Sequence, residues 1–133
     1  MAQGVLAIRE KVNEELRGQR IDRYPAVYQL TAALSLWPPA KMDYDDLFQL
    51  NLALRCWYFT RGGLYLSATS RDRYGEMKQL ISAYLDRLTD EENRGADNVP
   101  PDVFQDLTIT ARAFRNSLTE DLETRRQRSL WWV

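Results

Sequence analysis

At 133 residues, with 44% hydrophobic and 28% charged side chains, the chain is sized and composed for one globular domain and is too apolar to stay disordered. Its 18 Lys and Arg against 19 Asp and Glu leave a net charge of -1, which excludes a chain-wide basic field for nucleic acid. Histidine is absent, which removes the usual zinc sites and any triad that needs an imidazole base.

Cys56 is the single cysteine, so it forms no internal disulfide. Within the most apolar stretch it reads as a buried structural thiol in a reducing compartment. No apolar run reaches the roughly 20 residues that span a bilayer, and no signal-peptide core opens the chain, so a cytoplasmic protein is expected. Only Lys11, Lys41 and Lys78 among the basic residues are lysine.

In chain order, Val5, Ile8, Val12 and Leu16 recur at spacings of three and four over residues 2 to 17. This is the stripe of an amphipathic helix, ended by Gly18, that serves as a peripheral bundle member or a seam for another chain. Tyr24-Pro25 opens a second helix, because proline suits the first helical position. Val27, Leu30, Leu34 and Trp37 follow one face until Pro38-Pro39 stops it. Asp43 caps a third helix, with Asp45 and Asp46 in its first turn favouring the positive end of the dipole. From Leu47 to Phe59 the apolar residues occur all round, which predicts a central helix with neighbours on several sides.

Gly62-Gly63 ends that helix in the left-handed conformation open to glycine. Leu64-Tyr65-Leu66 reads as an extended link with Leu64 and Leu66 tucked inward. Ser67 or Thr69 caps the next helix, and Thr69-Ser70-Arg71-Asp72 fits a capping box. Tyr74, Met77, Leu80, Ile81, Tyr84, Leu85 and Leu88 give the cleanest helical spacing in the chain. Residues 89 to 99, acidic overall, read as a surface loop. Pro100-Pro101 opens the last helix, lined by Phe104, Leu107, Ala111, Phe114, Leu118 and Leu122, with Asp121 placed to pair with Arg125. The tail 127–133 ends Leu130-Trp131-Trp132-Val133, which is apolar enough to be docked on something. These elements predict an all-α fold: one antiparallel bundle of about five helices over residues 1–133, built around the aromatic-rich helix.

Four groups of residues could carry chemistry. Arg61, Gly62, Gly63, Ser67, Arg71 and Arg73 combine a glycine turn, a helix start and guanidinium forks, a pattern suited to a phosphate or carboxylate. They match neither the P-loop nor the dinucleotide fingerprint, and the plainer reading is a helix-terminating turn. Arg112, Arg115, Arg125, Arg126 and Arg128 beside Trp131 and Trp132 could stack on single strands, but Glu120, Asp121 and Glu123 offset them, so a protein-docking role for Trp131 and Trp132 is preferred. Asp43, Asp45, Asp46 and the acids between 90 and 97 read as caps and solvated loop rather than a metal or acid-base site. The aromatics Trp37, Tyr44, Phe48, Trp57, Tyr58, Phe59, Tyr65, Tyr74 and Tyr84 read as core.

The block Trp57 to Tyr74 (WYFTRGGLYLSATSRDRY) resembles a segment of uncharacterised bacterial proteins, in which an aromatic pair precedes a glycine turn, a Leu-Ser step and an Arg-x-x-Tyr. Phe114 to Arg125 (FRNSLTEDLETR) is similar to their closing helix. Those proteins often carry transmembrane helices before this region. The resemblance therefore implies a bacterial, membrane-proximal cytoplasmic module and supplies no catalytic residue. The function expected is a non-enzymatic, self-associating or partner-docking module without cofactor or metal, acting through the first helix or Trp131 and Trp132. The alternative is a binder of a small anionic ligand, a nucleotide or phosphorylated metabolite, at the Arg61 to Arg73 turn.

Overall fold

The computed structural model describes residues 2–35, 42–87 and 98–131, and at 2–7, 9 and 124–131 the backbone path alone. Among them are four α-helices: α1 Ala2–Thr31, α2 Tyr44–Trp57, α3 Ala68–Arg87 and α4 Pro101–Trp131. The all-α expectation holds, whereas the five-helix count does not. The two helices expected on either side of residues 18 to 24 are one 30-residue helix, α1, with Pro25 inside it.

The physical reason is burial on both sides of the expected break. Gly18 costs a helix interior only about 1 kcal/mol and Pro25 about 3 kcal/mol. Tyr24, Val27 and Thr31 are buried at 2%, 0% and 0% exposure, and a large apolar side chain taken out of water returns about 1.5–3 kcal/mol. Pro25 itself is exposed, so its ring, which a helix interior cannot pack without a clash, lies at the surface. Past Thr31 the chain tightens into a 3-10 turn, Ala32–Leu34, and becomes extended at Ser35. Trp37 and the Pro38-Pro39 stop lie outside the described residues.

Asp43 caps α2 with both bonds of a capping box: its carboxylate accepts the Asp46 N–H at 2.8 Å, and Asp46 accepts the Asp43 N–H at 3.2 Å. The box expected at Thr69 to Asp72 is absent. The cap of α3 is Ser67, whose hydroxyl accepts the Ser70 N–H at 3.1 Å, while Thr69 already lies in the first turn.

Between α2 and α3 the backbone stays right-handed through a π turn, Tyr58–Gly62, and a 3-10 turn, Gly63–Tyr65. Gly62 and Gly63 have φ of -110° and -58°, so the expected left-handed cap does not form. Glycine is needed for close approach instead. A methyl group on Gly62 would overlap the Trp57 indole, and one on Gly63 would meet the Tyr58 carbonyl oxygen. The Trp57 indole N–H, held down by that turn, donates to the Arg23 carbonyl of α1 at 3.0 Å. The link is not extended, and of its two leucines only Leu66 tucks in. Leu64 is 90% exposed.

Consecutive helices run in opposite directions. Arg17 and Arg115 donate to the Leu122 and Thr31 carbonyls, setting α1 against α4. Tyr74 and Lys78 donate to the Leu54 and Asn51 carbonyls, setting α2 against α3. The most extensive contact is α3 on α4. One core, with Leu34, Leu47, Leu54, Met77, Ile81, Leu107 and Phe114 at most 1% exposed, runs through all four helices. Tyr74 lies near its middle, stacked on Tyr58 at 4.7 Å and edge-on to Phe114 at 5.6 Å. An isolated antiparallel bridge, Asp43 to Asn98, joins the chain leading into α2 to that leading into α4, with the Val99 N–H donating to the Met42 carbonyl at 2.7 Å.

Two further expectations change here. The aromatic helix α2 is not enclosed: Leu47, Leu50, Leu54 and Trp57 are buried, but Phe48, Leu52 and Phe59 are 41%, 45% and 74% exposed. Cys56, expected to be buried, is exposed. No helix among the described residues is long and apolar enough to cross a membrane.

Candidate functional site

The residues singled out around the glycine turn are only partly brought together. Gly62 and Gly63 are buried, and the Gly63 N–H donates to the Tyr58 carbonyl. The Arg61 side chain is exposed, and its carbonyl accepts a bond from the Arg23 guanidinium at 2.9 Å. Ser67 is engaged as the α3 cap. Arg71 and Arg73 are both exposed, but two positions apart on a helix they leave it in different directions. Arg73 pairs with Glu76 at 3.3 Å. Trp131 belongs to α4, but its side chain and all of Trp132 lie outside the described residues.

A denser polar site lies just beneath, centred on Asp121. One carboxylate oxygen, Oδ2, is 2.9 Å from the Tyr24 hydroxyl, 2.8 Å from the Ser70 hydroxyl and 3.5 Å from the Ser67 N–H. The single Tyr24 proton faces two acceptors, since the Tyr65 carbonyl, which also accepts from Arg20 Nε at 2.8 Å, lies 2.9 Å from the Tyr24 hydroxyl as well. Ser117 sits 3.0 Å from Ser70 and 2.6 Å from the Phe114 carbonyl. Burial, and then the Asp121 carboxylate, push the Tyr24 phenol well above its ordinary pKa, because both disfavour a second negative charge there.

Asp121 therefore places an anion from α4 at the N-terminus of α3, where the aligned peptide dipoles favour negative charge. This is the position that the glycine-turn reading would give to a ligand. Ser70 is fully buried, which removes it from the reach of a substrate, and the cluster fastens α1, α3, α4 and the Gly63–Tyr65 turn to one another. Sequence reasoning missed it because Asp121 has an equally plausible surface partner in Arg125, and nothing in the spacing of residues 24, 70 and 121 foretells their meeting.

The other feature is the outward side of α2. At 100° per residue, Leu47, Leu50, Leu54 and Trp57 centre about 160° from Phe48 and Leu52, so α2 carries two apolar stripes on nearly opposite faces, and Phe59, in the π turn just beyond it, is also exposed. The first is core; the second is in water. Tyr44 stacks on Phe48 at 6.2 Å, and the Arg55 guanidinium lies over the Phe59 ring at 5.9 Å. Cys56 flanks the stripe and lines a groove of about 430 Å³ between α1 and α2, with Ala26, Leu30, Ala53 and Trp57.

No family model, curated protein or solved structure matches this chain.

What the residues can do is thus set by their own chemistry. In the Asp121 cluster the Oδ2 atom and the Tyr24 and Ser70 hydroxyls are engaged with one another. The outer stripe of α2 offers aligned apolar surface with one cation beside it. A second groove, about 360 Å³ between α1 and α4, is lined by Tyr24, Pro25, Tyr28, Leu118 and Leu122 and is also predominantly apolar. On α1, the described side chains from Ile8 to Gln19 are all exposed except the half-buried Leu16, with Ile8 at 65% and Val12 at 55%.

Proposed function

We propose that this chain is a non-enzymatic interaction module that docks a protein through the outer face of α2. The observation that carries this reading is the alignment of Phe48 and Leu52 on the side of α2 away from its buried stripe, continued by Phe59 in the adjoining π turn, all three more than 40% exposed. Single exposed hydrophobic residues are ordinary on protein surfaces, but an aligned row with an arginine stacked on it has the composition of a binding hot spot. The exposed Ile8 and Val12 on α1 add a second apolar strip for the same purpose. A bacterial, cytoplasmic and membrane-proximal setting, implied by the resemblance of residues 57–74, belongs to the same proposal.

Photo-cross-linking in the source cells, with a photoreactive residue replacing Leu52 or, as control, Ile109 on α4, tests the reading. A discrete adduct from position 52 and none from the equally exposed position 109 is expected. Adducts equally diffuse from both positions would contradict it. A small-anion site at Arg61, Arg71 and Arg73 is the second reading, supported by the exposure of all three guanidiniums. It predicts a nucleotide-induced rise in melting temperature that Arg71→Ala abolishes.

A further inference from the structure

Resting on that reading of α2, we infer that the protein docked there is a second copy of this chain, with the two α2 helices packed antiparallel about a two-fold axis. The argument is the distribution of charge along the stripe. Asp45 and Asp46 lie at the start of α2 and Arg55 at its end, with Arg61 just beyond. On the helical wheel Asp45 and Arg55 fall about 40° to either side of the exposed ridge, so both border the contact. Between them on the wheel α2 carries only Phe48 and Leu52, without a charge. An apolar centre with charged ends is the anatomy of a specific interface.

Such a face is complementary to itself in one direction. Antiparallel alignment sets the acidic start of each helix beside the basic end of the other, twice by symmetry, and opposes the two helix dipoles. Parallel alignment would place Asp45 beside Asp45 and Arg55 beside Arg55, and like charges facing each other across an interface discriminate against that arrangement. A two-fold axis passing between Phe48 and Leu52 packs the Phe48 of each copy on the Leu52 of the other. Because the same patch is used on both sides, the contact closes at two copies and does not propagate. Phe48 and Leu52, the two apolar residues that this axis brings together, expose roughly 150 Å² per copy, given 150–250 Å² for a whole aromatic side chain. A stable interface takes about 800 Å² from each partner, so the dimer is a reversible, concentration-dependent one.

Sedimentation of the full chain over a concentration series tests the inference, with helix content checked on every variant by circular dichroism. The wild-type mass should climb from 15.6 kDa towards twice that value, and Leu52→Asp should hold it at 15.6 kDa with the helices intact. Asp45→Arg and Arg55→Asp should each weaken dimerisation by about tenfold or more, since each turns two attractive contacts repulsive, and the double reversal should restore it. A wild-type chain monomeric at every concentration overturns the second-copy inference and leaves the docking face to be judged by its cross-links. A dimer indifferent to Leu52→Asp places self-association elsewhere and overturns the inference, with the α2 reading again judged by its cross-links. A dimer lost in Leu52→Asp but untouched by either charge reversal overturns the antiparallel alignment.

Discussion

Two glycines in this chain do opposite things, and substituting alanine separates them. Gly18 lies in α1 with open space where a Cβ would go, so Gly18→Ala should raise stability by about 0.5–1 kcal/mol, read from denaturant midpoints. Gly62 lies against the buried Trp57 ring, so Gly62→Ala must displace the indole or the turn, and a loss of about 1–3 kcal/mol is expected. If Gly62→Ala is neutral, the turn is not shaped by Trp57. The sequence shows both glycines as interruptions; which one the fold depends on is set by a ring five positions earlier. Tyrosine ionisation is a second probe at this scale. Burial is the main force holding the Tyr24 and Tyr74 phenols above the ordinary value of 10.0, so their neutral forms favour the folded state. That contribution is complete below about pH 10 and is lost as pH rises through the folded-state pKa values. In an alkaline titration followed by phenolate absorbance, Tyr24 and Tyr74 should lag the other tyrosines and ionise together with loss of helix. All seven tyrosines ionising in one wave, with the fold intact, would contradict the burial of both.

Among elements, the helix types were legible from apolar spacing, and the boundaries were legible where a side chain decides them locally. Asp43 is such a case, because a carboxylate three residues ahead of a backbone N–H caps whatever helix follows. Pro25 is the reverse. Local chemistry favours a helix start, but the core contacts of Tyr24, Val27 and Thr31 extend one helix through it, and those contacts come from α2 and α4, distant in sequence. Pro25→Ala should therefore stabilise the protein by about 1–2 kcal/mol, the helix-interior penalty of about 3 kcal/mol less the conformational freedom regained by the unfolded chain. Destabilisation on chemical unfolding would mean that α1 is not continuous there. The same distinction explains α2. An apolar residue on every side predicts a helix with neighbours on every side, and that inference holds only if the neighbours belong to the same chain. Separated into stripes by angle, 47, 50, 54 and 57 against 48 and 52, the sequence already shows two faces. It does not show which of them this chain covers. Phe59→Ser should cost no more than about 1 kcal/mol, the loss of its ring contacts with Arg55 and Tyr58 rather than of core burial.

At the scale of the whole molecule, the polar groups that could have made a site at the α3 N-terminus are drawn inward by Asp121, while apolar side chains that could have enlarged the core point outward. The anion-binding residues proposed from sequence are neighbours in the chain, yet Arg71 and Arg73 diverge because a helix turns 100° per residue. The exposed stripe of α2 is legible in part in the sequence, since its residues are aromatic or apolar, but its direction depends on where α1 and α3 settle against α2. The mass of the chain in solution, compared with that of Leu52→Asp at matched concentrations, tests this most directly. The wild-type mass should rise above 15.6 kDa with concentration, and the variant mass should not. A wild-type mass that rises equally in the variant would place the contact elsewhere and contradict the account.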